Sequence, residues 1–275
     1  LDAGCGVGHW GRVLAPFLPA DAELTGVDRE PAWVAKAAES ARAKGLSRFR
    51  YLQGDANALP FPDASFDLVT CQTLLIHVPD PRATLRELAR VLKPGGLLAL
   101  SEPNNLAGSL IRDSDNFDGG VDGLIAAARL QALCERGKAA LGLGNNSVGD
   151  LLPGFLDELG LAELQVYLSD KATLHLPGRS SPGQAAAQAQ AEDWLARDFW
   201  IWDKAETEAY FRAGGGAPGE FPRLWDGAME RRRRSVRAAR EGRLRSIDAG
   251  LQYLISGRKP GARTDAAATT RPARG

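Results

Sequence analysis

Leu1-Asp2-Ala3-Gly4-Cys5-Gly6-Val7-Gly8-His9 is the stretch on which the fold of this chain turns. An apolar start carrying one acid runs into three glycines at alternate positions. Glycine accepts φ > 0 and lets another group approach the backbone closely, so this spacing suits a cradle better than a packed core. A helix is predicted from about Trp10 to Phe17. Its unpaired N–H groups would face the same cradle. The stretch therefore reads as a strand, a glycine turn and a helix start.

The surrounding composition narrows the field. At 275 residues the chain has room for two domains or one large one. Net charge is zero, so overall electrostatics does not point to nucleic acid or to an anionic membrane. No apolar run reaches the ~20 residues of a membrane span. Cys5, Cys71 and Cys134 are scattered and lack metal-ligand spacing, so no metal is expected and a reducing cytoplasm fits. Leu1 falls inside the first strand. The natural N-terminus, with the first half of that strand, is expected to lie upstream.

Downstream, Ala22 to Val27 reads as a second strand ending in Asp28, 20 residues after Gly8. An acid at that place can accept from both hydroxyls of a ribose. Asp28-Arg29-Glu30-Pro31 is also a helix start, with Asp28 as a possible N-cap. The helix runs from Pro31 to Lys44 and stops at Gly45. Phe49 to Gln53 is the third strand, followed by Gly54-Asp55-Ala56, whose acid could equally be a plain turn residue. The run from Leu59 to Val69 leads into a fourth strand, Phe66 to Cys71, and the loop Gln72 to His77. A helix from Arg82 to Leu92 is closed by Lys93-Pro94-Gly95-Gly96, and Leu97 to Ser101 is the fifth strand.

Taken together, Asp2-x-Gly4-x-Gly6-x-Gly8, the Leu59–Val69 run and Arg90-Val91-Leu92-Lys93-Pro94-Gly95-Gly96 resemble the class I S-adenosylmethionine (SAM) dependent methyltransferases. They are similar to the small-molecule type, the ubiquinone and menaquinone biosynthesis group. The resemblance covers about residues 1 to 102. It implies an α/β, doubly wound, Rossmann-like sheet of seven mostly parallel strands with an antiparallel last strand. The alternation of strand and helix supports a parallel sheet independently. By resemblance, SAM would bind at Asp2, Gly4, Cys5, Gly6, Gly8, Asp28, Arg29, Asp55, Ala56, Gln72 and His77, with S-adenosylhomocysteine (SAH) as product. Asp2 would favour the methionine ammonium, Asp28 the ribose, and Asp55 with the Ala56 N–H the adenine.

The second half of the chain is less patterned. A helix is expected over about Gly123 to Ala140, another over Asp150 to Leu159 ended by Gly160, and a strand from Leu164 to Leu168 reaching toward Leu174. Leu251 to Lys259 resembles the family's seventh strand. The organisation expected is a SAM-binding core over 1–179, a helical insertion or cap over 180–245, a last core strand over 246–259 and a disordered tail over 260–275. The insertion concentrates Trp194, Phe199, Trp200, Trp202, Tyr210 and Phe211. These rings suit packing on the body or walls of a substrate pocket. His77, Asn104, Asn105, Trp200 and Trp202 are the pocket candidates. Arg231 to Arg234, with Arg237, Arg240, Arg243 and Arg245, is expected to be a solvated basic face rather than a nucleic-acid contact.

Methyl transfer from a sulfonium is an in-line displacement that requires alignment and exclusion of water more than a triad or a metal. No catalytic residue is assigned; His77 is the histidine placed to act as a base, or it only shapes its loop. Two rivals stand. A nicotinamide oxidoreductase would want Gly-x-Gly-x-x-Gly, yet Gly8 falls one place early and His9 stands where the third glycine belongs. A SAM-binding regulator without catalysis would keep the cofactor residues alone. A small-molecule substrate in the cytoplasm is the partner expected.

Overall fold

β1 (Asp2–Ala3) is short but central, pairing in parallel with β2 (Leu24–Asp28) on one side and β4 (Phe66–Gln72) on the other. β3 (Phe49–Gln53) lies beyond β2, and β5 (Leu92–Asn104) beyond β4, both parallel to their neighbours. β9 (Leu251–Arg258) runs antiparallel between β5 and β6 (Ala162–Leu168). The sheet order is β3-β2-β1-β4-β5-β9-β6. This is the expected mostly parallel sheet with its antiparallel last strand. Strand order reverses beside β1, so ligands of such a sheet sit beyond the C-terminal ends of β1 and β4. The computed structural model describes residues 1–110, 113–114, 120–169, 172–178, 181–248 and 250–261. The tail expected from residue 260 lies, from 262 on, outside the described residues.

Helices α1 (His9–Leu14), α2 (Pro31–Ala43) and α3 (Pro81–Val91) follow their strands as the pattern dictates. α3 starts where Asp80 accepts from the N–H groups of Arg82 and Ala83 at 2.9 and 3.1 Å, with Pro81 in its first turn. Its Leu85, Leu88 and Val91 are fully buried on the sheet, each contributing about 1.5–3 kcal/mol. The expected strand boundary after α3 is corrected. Lys93 to Gly96 is not a separate turn but the start of β5, which begins at Leu92. Gly95 and Gly96 bond to the residue just after β9: Gly95 N–H donates to Lys259 O, and Lys259 N–H to Gly96 O.

α4 (Val121–Ala140), α5 (Leu152–Glu158), α6 (Pro182–Ala196), α7 (Lys204–Ala213) and α8 (Phe221–Arg240) complete the helices among the described residues. The helix expected from Asp150 is a 3₁₀ turn over Val148–Leu151 followed by α5, and Gly160 at φ 73° closes it. β6 does not continue to Leu174. Instead β7 (Thr173–His175) pairs with β8 (Ser246–Asp248) in a separate two-stranded ribbon.

Two apolar cores result. One lies around the sheet and takes in Val27, Val69, Leu85, Leu98, Leu152 and Ile255. The other joins α4, α7 and α8 through Leu130, Leu133, Phe211, Phe221, Trp225 and Met229. The second core thus draws on α4 as well as on the 180–245 segment. α4 and α7 cross with their backbones in near contact: a Cβ at Gly137 would lie 1.7 Å from Tyr210 O, and one at Gly214 1.9 Å from Leu133 O. Only glycine permits that approach.

Candidate cofactor and substrate site

The glycine turn leaves β1 at the C-terminal edge, and Gly4, Gly6 and Gly8 all have positive φ, at 66°, 50° and 72°. They serve different purposes. A Cβ at Gly4 would lie 2.7 Å from Leu74 Cδ1, and one at Gly8 2.7 Å from Tyr51 Oη, so both are hemmed in by the protein. A Cβ at Gly6 would meet only Trp33, at 4.0 Å. Gly6 therefore faces open space. Gly8 caps α1 in the left-handed region, and His9 is that helix's first residue, exposed.

Asp2 lies beneath this turn, fully buried. Its Oδ2 accepts from Gly11 N–H at 3.2 Å, while Oδ1 has no partner among the described residues. Burial raises its pKa to about 7. A buried carboxylate oxygen left unpaired is costly, and a cationic ligand group at the turn would satisfy it. Cys5 does not present its thiol to the site. The side chain is buried toward Gly26, burial pushes the thiol's pKa up, and its N–H pairs with Val27 O at 3.0 Å.

Asp28 ends β2 and is buried rather than lying on the open edge. Oδ2 accepts from Gly6 N–H at 2.8 Å and Oδ1 from Glu30 N–H at 3.0 Å. It is not the N-cap of α2; Glu30 is, without a side-chain cap bond. Each carboxylate oxygen keeps a lone pair free. Arg29 is exposed beside it. Asp55, also exposed, holds Asn57 through Oδ1 at 2.8 and 2.9 Å, and Ala56 is buried behind it. Gln72 ends β4, half-buried. The next residue, Thr73, sits at φ 49°, a strained conformation for a β-branched residue at the ligand edge. His77 stands on the turn 75–77 with its ring partly in solvent; the protein around it, then the charges of Lys138 and Arg29, hold its pKa below the usual value.

β5 brings Glu102, fully buried, to the same edge. Its Oε1 accepts from Leu74 and Leu75 N–H at 2.9 and 3.0 Å, while Oε2 has no partner among the described residues, and burial raises its pKa to about 7. α4 docks on this edge through buried polar groups. Lys138 Nζ donates to Ile76 O at 2.8 Å and Asn146 Oδ1 at 3.0 Å. Gln131 Nε2 donates to Asn105 O at 2.6 Å. Ser147 Oγ donates to Glu135 Oε2 at 2.6 Å and accepts from Leu106 N–H at 2.8 Å. The helical layer thus sits at the C-terminal ends of β4 and β5.

A cavity of about 600 Å³ lies within that layer, lined by Asn105, Gln131, Trp194, Trp200, Arg231 and Arg232 among others. Of the pocket candidates, Asn105 and Trp200 line it; His77, Asn104 and Trp202 do not. Asn104 is engaged with Asp150 Oδ2 at 2.7 Å and Ala107 N–H at 3.1 Å. Trp202 packs edge-on against Tyr210, ring centroids 5.3 Å apart. The basic helix is also corrected in part. Arg233 pairs with Glu230 at 3.6 Å and Arg240 with Glu192 at 3.0 Å as a solvated face would, but Arg231 and Arg232 turn inward, half-buried. Trp33, Leu74, Glu102 and Lys138 were not singled out by sequence, and Arg231 and Arg232 were read only as part of a solvated basic face. Trp33, five residues after Asp28 and half exposed, carried the one available signal.

With this geometry in hand, comparison with known proteins is direct. Residues 1–100 match a family model described as a methyltransferase domain. The uncharacterized methyltransferase YcgJ of Bacillus subtilis is 42% identical over 100 residues, 36% of this chain and 38% of that protein. A demethylmenaquinone methyltransferase of Geobacillus kaustophilus is 37% identical over 102 residues, 37% of this chain and 44% of that protein. The matched stretch spans less than half of either relative. A crystal structure from Bacillus halodurans C-125, named as a methyltransferase, superposes with a TM-score of 0.51 at 21% identity, covering 94% of this chain and 91% of that one. That likeness is one of fold. Residues 1–100 are thus similar to methyltransferase domains. No helix among the described residues is long and apolar enough to cross a membrane.

Proposed function

We propose that this chain binds SAM at the C-terminal edge of its sheet and transfers the methyl group to a small molecule, releasing SAH. The observation that carries the reading is the unpaired, buried Oδ1 of Asp2 at the foot of a glycine cradle whose Gly6 faces open space. Asp2 would take the methionine ammonium. Asp28 would take the ribose hydroxyls on the lone pairs its two backbone bonds leave free, and Asp55 with the Ala56 N–H the adenine. Arg29, Gln72 and His77 would border the same ligand, with the backbone of Gly4, Cys5 and Gly8 shaping its bed.

Bound there, the sulfonium supplies a methyl group already activated for displacement. The chain's own work is then to hold donor and acceptor in line and to keep water out. His77, held toward its neutral form, is able to receive a proton from an oxygen or carbon acid. In this reading 1–179 apart from α4, with 246–259, forms the core, and 180–245 together with α4 forms the cap over the acceptor. Asn105 and Trp200 would be walls of the acceptor pocket. Three buried free cysteines suit a cytoplasmic setting.

Incubating the chain with methyl-labelled SAM and a metabolite extract tests the transfer. Label should move into the small-molecule fraction as SAH accumulates. SAM binding with all label retained on SAM would instead describe a regulator.

A further inference from the structure

α8 carries Arg231 and Arg232 at consecutive positions, and both residues line the cavity in the cap. Neither has an ion-pair partner among the described residues. Arg231 makes one long hydrogen bond, Nη2 to Gly123 O at 3.4 Å. Arg232 donates to Trp200 O at 3.0 Å and lies over the Trp194 ring, 4.8 Å from its centroid. Their helical neighbours differ: Arg233 and Arg240 are paired with glutamates in solvent. Burial acts on both inward arginines, lowering their pKa values, though a guanidinium keeps its charge.

Half-burying a cation without a counter-ion is costly unless something repays it. Among the described residues, the other charged or titratable groups lining the cavity are Asp113 and His175. Asp113 lies near Arg231 and already accepts from Ser235 Oγ at 2.6 Å. His175 is buried at the end of β7. Among the described residues, two arginines and one aspartate line the cavity, a net positive lining. Trp194 and Trp200 supply flat apolar walls, and Asn105 joins the cavity to the end of β5.

We propose that this cavity holds the anionic group of the methyl acceptor, a carboxylate or phosphate gripped by Arg231 and Arg232, with the acceptor's apolar body against Trp194 and Trp200. The planar guanidinium fork matches both anions. Calling the ligand the acceptor rests on the transfer reading; the anion site itself rests on the cavity.

The test uses the full chain in calorimetry with 2-naphthoate, 2-naphthyl phosphate and the neutral 2-naphthamide, and with SAH in a separate titration. At least one anion should bind about tenfold or more tighter than the amide. Arg231→Gln with Arg232→Gln should abolish that preference, and Arg233→Gln on the solvent side should keep it. SAH affinity should stay within about twofold in every variant. Equal affinity for all three ligands in the unmutated chain, or a preference that survives the double change, would overturn the proposal; the first comparison stands even where the double variant fails to fold. An anion preference without SAH binding would uphold the site and strike at the transfer reading. SAH binding without an anion preference would do the reverse.

Discussion

The carboxylate of Asp28 accepts the backbone N–H of Gly6 at 2.8 Å, so the acid that ends β2 holds the tip of the turn that leaves β1. The same side chain accepts from Glu30 N–H at 3.0 Å, fixing the entry to α2. A residue proposed to bind ribose is therefore also a brace for the cradle. Asp28→Ala should weaken SAH binding and lower stability together, each by about 1–3 kcal/mol, the scale for leaving polar groups unpaired. Calorimetry and thermal melts measure the two. A loss of stability with SAH affinity unchanged would reduce Asp28 to a brace.

Gly4 and Gly6 separate packing from ligand contact. Gly4→Ala drives a Cβ to 2.7 Å from Leu74 Cδ1 at φ 66° and should destabilise the fold by more than 1–2 kcal/mol, roughly the backbone cost alone. Gly6→Ala has space around it, so its stability loss should stay near that backbone cost while SAH affinity falls about tenfold or more. Equal melts and equal affinities for the two variants would contradict the division.

Glu102 makes stability depend on pH. Its pKa is raised from 4.5 to about 7 by burial, so the folded state holds a proton that the unfolded chain releases above about 4.5. Its contribution is greatest below pH 4.5 and is lost as pH rises through about 7. Glu102→Gln removes this dependence. Between pH 4.5 and 8 the variant should gain on the parent by an amount on the order of 3 kcal/mol, taking 1.36 kcal/mol per pKa unit. Parallel pH–stability curves in urea unfolding would refute the assignment.

Lys138 ties the cap to the turn that carries His77, through Ile76 O at 2.8 Å and Asn146 Oδ1 at 3.0 Å. Burial lowers its pKa, and Glu135 opposes that shift. Lys138→Met should cost about 1–3 kcal/mol by leaving both acceptors unpaired. In hydrogen exchange, amides of 75–77 should exchange faster while those of β2 and β3 stay protected. Unchanged exchange at 75–77 would mean that the turn is held by other contacts.

The legible half of the chain was legible because its signals are local and meet one another. Arg90, in the Arg90–Gly96 string, donates to Asp63 Oδ1 at 2.8 Å and to Phe61 O at 2.9 Å, inside the Leu59–Val69 run. Glu87 on the same helix accepts from Leu59 N–H at 2.6 Å. The two strings are two sides of one contact. The cap offered no such signal. α4 exposes Val121 and Ile125 while burying Gln131, Glu135 and Lys138, because its polar side docks on the sheet edge. Four consecutive arginines likewise state that a helix is basic, not that the first two face inward. Nothing in the sequence around Thr73 announces its positive φ.

The central claim is that the glycine turn, Asp2 and Asp28 receive the methionine and ribose of a sulfonium cofactor. Calorimetric titration of the full chain with SAH and with NAD tests this most directly. The account predicts stoichiometric SAH binding that weakens on Asp28→Ala, and no measurable NAD binding. NAD binding without SAH binding would contradict it.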